Sequence, residues 1–586
     1  MQKLILFLFL FSYFLFSEIF SIDKKIIHHG WSWLTPEILR EKIRNIENST
    51  PFFDGVVIRL KDILPFKKKK INEGIYKEDI ENLKNTDFKI FKDNFLIVFS
   101  GGIKDEKEEW DWFNEKDIES SAYNWGLLAK IAKEVGCKGL IFDPEVYYGI
   151  KIFNYNSLIN KNEKTFEEYY NQVRKAGRKI MSSIQKEYPN IVLFFLFGNS
   201  IFTGNVYSMD VKILSQHPYG LLPAFINGIL DVINPEVLLI DGNEPSYWYR
   251  KPEDFYTAYH IIKEGSILLV APENREKYKR QVRVSFGIYP DLYYGFYKSF
   301  VGGSIPGEME RAKWYEHNIY WGLKVCDEYI WNYAEKIDWY GIQEKQPWCN
   351  YVPKGAKDAI ISAKRKIQTG KELEFNILEV LKNKLMIRNM KVEKIDRQIE
   401  IDGRLEPFIM EKIKSLPDFV GRFSEVEKGI QCQTKVWCGY DEKYLYICFY
   451  NEEPSISEVQ VYGEERDEDI WKGDCVEIFI TKYNFLYPYY HFIVNLSNIQ
   501  YDAININGNE DKAWNGKWES AVFKGENYWT VEIKIPFAEI GGFISERRAN
   551  FCRVRKTKKE SSLATWSQII SWFNEPENFG ILNFKE

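Results

Sequence analysis

Gly139-Leu140-Ile141-Phe142-Asp143-Pro144-Glu145 carries an apolar run straight into two carboxylates separated by a proline. Side chains in a strand alternate faces, so this spacing predicts that Asp143 and Glu145 point the same way. Pro144 has no amide hydrogen to give to a ladder, which marks where the strand stops pairing. Two acids held together at a strand end are costly unless they are paired, solvated or used. The stretch reads as a buried strand that ends in an active site. A solvated loop acid that caps the next helix is the plainer alternative.

The same pattern repeats on both sides of it. Candidate strands cover residues 26–33, 54–60, 95–100, 138–145, 191–197, 237–241, 282–289 and 328–333. Amphipathic stretches lie between them. Thr35-Pro36-Glu37 opens a helix with a cap residue and a first-turn proline. Thr165-Phe166-Glu167-Glu168 is a capping-box pattern, followed by helical spacing up to Tyr188 and a stop at Pro189. For the seventh strand, residues 266–271 compete with 282–289, and the latter, ending at Pro290-Asp291, is preferred. Strands alternating with helices predict parallel strands and crossover helices, and eight such units over residues 22–354 predict a (β/α)8 TIM-type barrel. The rival is a doubly wound open sheet, but no Gly-rich phosphate fingerprint follows the first strand.

Catalytic groups of such barrels come from the C-terminal ends of the strands. Here those ends supply His29, Trp31 and Trp33 from the first strand, Arg59 from the second, Asp143 and Glu145 from the fourth, and Asn199 from the fifth. The sixth supplies Asp241, Asn243 and Glu244, the seventh Tyr289 and Asp291, and the eighth Trp331, Tyr333 and Glu335. Carboxylates, amides and large rings together suit a sugar. For any single Trp, packing in the barrel interior is the stronger expectation. His28 and His29 lack a third candidate ligand and read as hydrogen-bonding residues.

Composition sets limits on all of this. A chain of 586 residues needs two or three domains, and 45% hydrophobic with 28% charged residues is globular. A net charge of -5 gives no electrostatic reason to expect nucleic acid. Aromatic residues are abundant at 16%, with 18 Trp and 37 Tyr. Lys3, the apolar residues 4–16, and Ser17 and Ser21 make residues 1–21 a secretory signal peptide, with an uncleaved anchor as the alternative. The expected location is secreted, periplasmic or at the cell surface, with no membrane attachment after cleavage. Eight cysteines form no CxxC pair and no metal-ligand spacing with His, so no metal is expected in the barrel and no cofactor is implied. Calcium in the C-terminal domain stays open.

Residues 355–394 read as a charged helical closure and linker. Beyond residue 399 the pattern turns to strands at 434–439, 444–450, 475–481, 491–496 and 529–535 without helices between them. That predicts an antiparallel all-β sandwich over residues 395–586, and hence a multidomain chain.

In this region Ile401-Asp402-Gly403, Tyr440-Asp441, Asp474-Cys475-Val476-Glu477-Ile478-Phe479, Trp529 to Phe537 and Asn574 to Phe584 occur in order. Together they resemble a family 9 carbohydrate-binding module. The resemblance implies two tryptophans that sandwich a terminal sugar; Trp471 fits one position, and Trp566 or Trp572 the other. The barrel resembles those of glycoside hydrolases. That resemblance implies a carbohydrate substrate and paired carboxylates, one protonating the leaving oxygen and one attacking or activating water. Asp143 is the expected nucleophile or base and Glu244 the acid, with Glu145 and Asp241 as orienting neighbours and Glu335 as the substitute for either role. Trp31, Trp33, Trp331 and Tyr333 are the expected subsite walls. A noncatalytic glycan-binding barrel is the rival.

Overall fold

The computed structural model describes residues 24–101, 110–147, 151–202, 206–208, 210–296, 308–342, 351–382, 385–422, 430–506, 508–570 and 572–584. The stretch 1–21, read as a signal peptide, lies outside them. Residues up to Tyr294 with Arg311–Ile377 form one compact unit, and the residues from Leu378 onward form the bulk of a second.

The first unit is built on β1 (Lys25–Gly30), β2 (Gly55–Ile58), β3 (Phe95–Phe99), β4 (Gly139–Asp143), β5 (Val192–Phe195), β6 (Leu238–Asp241), β7 (Val282–Val284), β8 (Gly287–Ile288) and β9 (Tyr329–Ala334). They pair in the order β7-β6-β5-β4-β3-β2-β1-β9-β8, and every register is parallel. β7 and β8 are two pieces of one strand, interrupted at Ser285-Phe286. The first piece pairs with β6 and the second with β9, so the sheet closes on itself. The Ser285 amide donates to the Asp241 carbonyl (2.8 Å) and the Trp331 amide to the Phe286 carbonyl (3.1 Å), which carries the ring across the break. The result is the eight-stranded barrel that the alternation predicts, with the seventh strand at 282–288.

Closure explains the apolar runs. β4 is buried along its whole length, because one face lines the barrel interior and the other meets the surrounding helices. On that outer face Phe142 packs edge-on against Trp125 (5.1 Å) of helix Glu115–Glu134 and lies near Phe225 (6.3 Å) of helix Leu222–Val232. The capping box of helix Phe166–Glu187 is present in both directions: the Glu168 amide donates to Thr165 Oγ1 (3.2 Å) and the Thr165 amide to Glu168 Oε2 (2.8 Å).

The second unit begins earlier than the linker reading placed it. Within 355–394, helix Ala356–Gln368 belongs to the first unit, but β10 (Asn389–Lys391) and β11 (Glu393–Lys394) are strands of the second. β10 pairs with β23 (Gly580–Asn583), and β11 with β13 (Thr434–Tyr440). The reason is pairing that no local pattern reveals: these short exposed pieces are held by strands distant in sequence.

The remaining strands are β12 (Val420–Gly421), β14 (Tyr444–Glu452), β15 (Cys475–Thr481), β16 (Tyr489–Asn495), β17 (Gln500–Ile506), β18 (Asn509–Asp511), β19 (Glu519–Lys524), β20 (Tyr528–Pro536), β21 (Glu546–Lys556) and β22 (Ser561–Thr565). One sheet runs β11-β13-β14-β20-β19. The other runs β10-β23-β21-β15-β16-β17-β18, with β12 and β22 attached beside β21. Val436, Ile447, Val531, Ile478, Phe492 and Phe551 meet in the apolar layer between them, so the unit is a β-sandwich. Two buried arginines are paired with buried acids: Arg553 and Arg555 both reach Glu453 (3.1 and 2.7 Å), and Arg553 also reaches Asp474 (3.3 Å). Arg547 has no carboxylate partner among the described residues and donates to the carbonyls of Thr481, Lys482, Ile540 and Gly542.

Gly139 is required at the start of β4. A Cβ there would lie 1.9 Å from the Val192 carbonyl oxygen of β5. Gly139→Ala is therefore expected to push these two strands apart and destabilise the barrel by about 1–3 kcal/mol or more, read as a lowered urea midpoint of the barrel transition. An unchanged midpoint would refute this account of the glycine.

Candidate active site

The rim where the strands leave the barrel gathers the expected acids, but in unequal positions. β4 ends at Asp143, and the chain then turns. The Glu145 amide donates to Asp143 Oδ1 (2.8 Å) and the Tyr147 hydroxyl to Asp143 Oδ2 (3.0 Å). Asp143 is only 2% exposed, and both its oxygens are engaged. Burial first, and then the charge of Glu145, push its carboxyl up to about 7. Glu145 is half-buried and accepts from Tyr219 at 3.4 Å. Ser100 fixes this turn by donating to the carbonyls of Pro144 and Glu145 (2.7 and 2.8 Å).

Across the mouth, Gly242 and Asn243 bend the exit of β6. Asn243 has φ 45° and ψ 59°, a left-handed conformation that asparagine tolerates better than most residues. Its amide side chain donates to the Tyr249 hydroxyl (3.1 Å). Glu244 follows at once, at the start of a 3-10 turn. Burial raises its carboxyl well above the usual range, and the charges of Glu145, Asp143 and Glu335 raise it further. Four acids from three strand ends thus lie within electrostatic reach of one another.

The exits of β8 and β9 complete the ring. Asp291 is fully buried and accepts the backbone amides of Glu335 (3.2 Å) and Lys336 (2.6 Å). Burial raises it to about 7 against those hydrogen bonds. Glu335 is also raised, by burial first; Tyr289 and Lys336 oppose the shift and the charge of Glu145 adds to it. Tyr333 links two sides of the mouth, with its hydroxyl accepting from Trp31 Nε1 (2.9 Å) and donating to Glu335 Oε1 (3.0 Å). Its ring lies parallel to that of Tyr247 (6.1 Å, 9°) and near Tyr289 (5.1 Å).

Several expected residues have other work. Trp331 was expected as a subsite wall, but it is fully buried. It donates to the Gly242 carbonyl (2.8 Å) and packs beside Tyr247 (5.4 Å), so it supports the rim from beneath. Gly287 makes room for both rings: a Cβ there would lie 2.6 Å from Tyr247 and 2.9 Å from Trp331. Asp241, expected to orient water or hydroxyls, is saturated by Gly198 and Asn243 amides (3.0 and 3.2 Å), the Ser200 amide (2.9 Å) and the Ser200 hydroxyl. It ties the β5 exit to the β6 exit. Asn199 is buried within that same β5 loop.

β1 ends at Gly30, so the alternation expected for His29, Trp31 and Trp33 stops there. His29 is buried against Trp33 (5.8 Å) and Tyr333 (5.3 Å), and burial lowers it to about 3, leaving a neutral ring. Arg59 lies over the Trp33 ring (4.5 Å). Trp31, by contrast, is 49% exposed. Two rings that sequence reasoning missed share that property: Tyr147 at 50% and Trp248 at 44%. Tyr147 continues the spacing of 143 and 145, which is the signal that marks it; Trp248 lies on the turn that begins at Glu244.

In the second unit, Trp471 is partly buried, in a T-shaped contact with Tyr501 (5.2 Å) and with Lys512 over its ring (4.6 Å). Trp572 is 56% exposed, whereas Trp566 is fully buried in the sandwich core. Of the two candidates for the second ring, only Trp572 offers a face to solvent. Among the described residues, no group of three or more His, Cys, Asp or Glu is placed to hold a metal ion, and no helix is long and apolar enough to cross a membrane.

Residues 401–586 match the family model described as carbohydrate family 9 binding domain-like. Among solved structures, the chain is similar to a family 9 carbohydrate-binding module from Caldicellulosiruptor kristjanssonii in complex with cellotriose. The identity is 14% over 33% of this chain and 94% of that one, with a TM-score of 0.25. It is also similar to an exo-beta-1,4-mannosidase from Opitutaceae bacterium strain TAV5, at 10% identity over 66% and 67% of the two chains, TM-score 0.35. A third similarity is to GH5_18 from Streptomyces cattleya in complex with GlcNAc, at 11% identity over 64% and 84%, TM-score 0.33. A comparison with curated proteins finds no match.

The Asp143 shift makes a prediction of definite sign. A carboxyl held at about 7 in the fold and near 4 in the unfolded chain costs nothing below about pH 4. Above that it costs stability progressively, and the cost is complete above about pH 7. The native protein should therefore lose stability between these limits, and Asp143→Asn should lose at least about 1 kcal/mol less, measured as thermal midpoint against pH. Parallel curves would show that Asp143 does not titrate in this range.

Proposed function

We propose that the protein is a secreted glycoside hydrolase, with the barrel rim as catalytic site and the sandwich as a carbohydrate-binding appendage. One observation carries this: Asp143, Glu244 and Glu335, from three strand ends, are all raised with the charge of Glu145 contributing. Mutual repulsion among buried acids is relieved when one stays ionised and another keeps its proton, which is the division of labour that glycoside hydrolysis needs.

Burial alters the expected roles. Asp143 has no free oxygen and almost no exposed surface, so it acts here as a positioning residue that holds the Glu145 amide. Glu145 is the carboxylate that attacks the anomeric carbon or deprotonates a water. Glu244 gives its proton to the departing glycosidic oxygen. Trp31, Tyr147 and Trp248 flank the sugar, and Tyr333 steadies Glu335. The chemistry uses side chains alone. Residues 1–21 would direct export, and Trp471 and Trp572 are the proposed sugar contacts of the sandwich. The family match over residues 401–586 also favours a second reading, a glycan-binding protein without turnover.

A polysaccharide panel separates the two. Glu145→Gln and Glu244→Gln should each lower reducing-end release by roughly a thousandfold or more, with unchanged thermal midpoints near neutral pH or slightly raised ones. Asp143→Asn should leave weak activity. Release that survives both Gln variants would eliminate this site, and glycan binding without any release would select the binding protein.

A further inference from the structure

Four consecutive lysines, Lys67 to Lys70, follow the exit of β2 on the rim of the barrel. A run of this kind is ordinarily a solvated, mobile face, but this one is clamped at both ends. Phe66 is wedged among Trp110 (5.4 Å), Trp112 (5.8 Å) and Trp125 (5.8 Å), and Ile71 is 7% exposed. The fully buried Asn124 grips the backbone between them: it donates to the carbonyls of Pro65 and Lys69 (3.2 and 3.1 Å) and accepts the Ile71 amide (2.8 Å). Lys67 pairs with Asp62 (2.8 Å). Lys68, Lys69 and Lys70 are exposed and have no carboxylate partner among the described residues. Lys69 and Lys70 line a cavity of about 320 Å³ with Ile71, Asn72, Ile75 and the Asp62–Lys67 ion pair, in which Lys67 offsets the Asp62 charge, and Lys70 also lies over the Tyr123 ring (5.1 Å).

Like charges held side by side on an immobilised loop repel one another, and a bound anion removes that cost. The chain as a whole carries -5, so the patch stands against the net charge. An open hollow with ammonium groups on one wall and apolar surface on another suits a sugar ring bearing a negative substituent. We propose that Lys68, Lys69 and Lys70 form a binding site for an anionic polysaccharide, through its sulfate or carboxylate groups. The choice of a polysaccharide over another polyanion rests on the glycan-acting function proposed above.

The test is affinity electrophoresis of the full chain in gels containing dextran sulfate or neutral dextran. The native protein should be retarded by dextran sulfate alone, and high salt should abolish the retardation. Lys68→Gln/Lys69→Gln/Lys70→Gln should weaken it about tenfold or more. Removing three exposed charges elsewhere, in Lys414→Gln/Lys443→Gln/Lys524→Gln, should not. Equal retardation of the two triple variants, or none of the native protein, overturns the site. Equal retardation by a single-stranded oligonucleotide overturns the choice of polysaccharide. Glu244→Gln should bind as the native protein does. Dextran sulfate binding that depends on the three lysines, in a chain that releases no sugar, would leave the patch standing and remove only the hydrolase.

Discussion

The barrel closes through one broken strand, and the placement of every candidate group follows from that closure. Val282–Val284 pairs with β6 and Gly287–Ile288 with β9, so the two flanks of a parallel sheet are joined by five residues of a single segment. A parallel sheet that closes sends all its strands out through one rim. Side chains at the exits of β4, β6 and β9 then converge although about a hundred residues separate each exit from the next. The break itself serves the rim. Gly287 leaves space for Tyr247 and Trp331, and Trp331 in turn holds the Gly242 carbonyl, one residue before Asn243 bends the chain towards Glu244.

Convergence creates an electrostatic conflict that the fold resolves by grading burial. Asp143 and Asp291 are the deepest acids, and each is tied to backbone amides of the turn beside it. Asp241 is tied the same way to the neighbouring loop. These three shape the rim. Glu145, Glu244 and Glu335 lie further out, on side chains one methylene longer, where a ligand can reach them. The aromatic residues divide likewise: Trp331 and Tyr247 are buried beneath the rim, and Trp31, Tyr147 and Trp248 stand half-exposed above it.

The sandwich answers the same problem of buried charge with hydrogen bonds of two kinds. Glu453 and Asp474 neutralise Arg553 and Arg555 directly. Among the described residues Arg547 is held by carbonyl oxygens alone, and burial lowers it to about 10. A guanidinium spreads its charge over a planar fork of donors, which is why carbonyl dipoles suffice there. The β-sandwich motifs Asp474 to Phe479 and Trp529 to Phe537 were legible because they fall on long central strands, whereas β10 and β11 were not.

Local sequence determined the periodicities: apolar runs for strands buried on both faces, the Thr165 capping box, the proline after Asp143, and the order of elements that requires a barrel. It also placed the acids at strand ends, since a strand's exit is marked by its own residues. Which acid is buried, and which can meet a ligand, was decided by the tertiary structure alone. Asp143 and Glu145 look equivalent in the chain, but a turn after β4 folds one oxygen of Asp143 onto the Glu145 amide and closes the other with Tyr147. Trp331 and Trp31 look equally suited to a sugar, but β9 is paired on both sides and turns Trp331 inward, while Trp31 lies beyond the last residue of β1. Burial depends on what arrives from distant segments, and no local pattern encodes that.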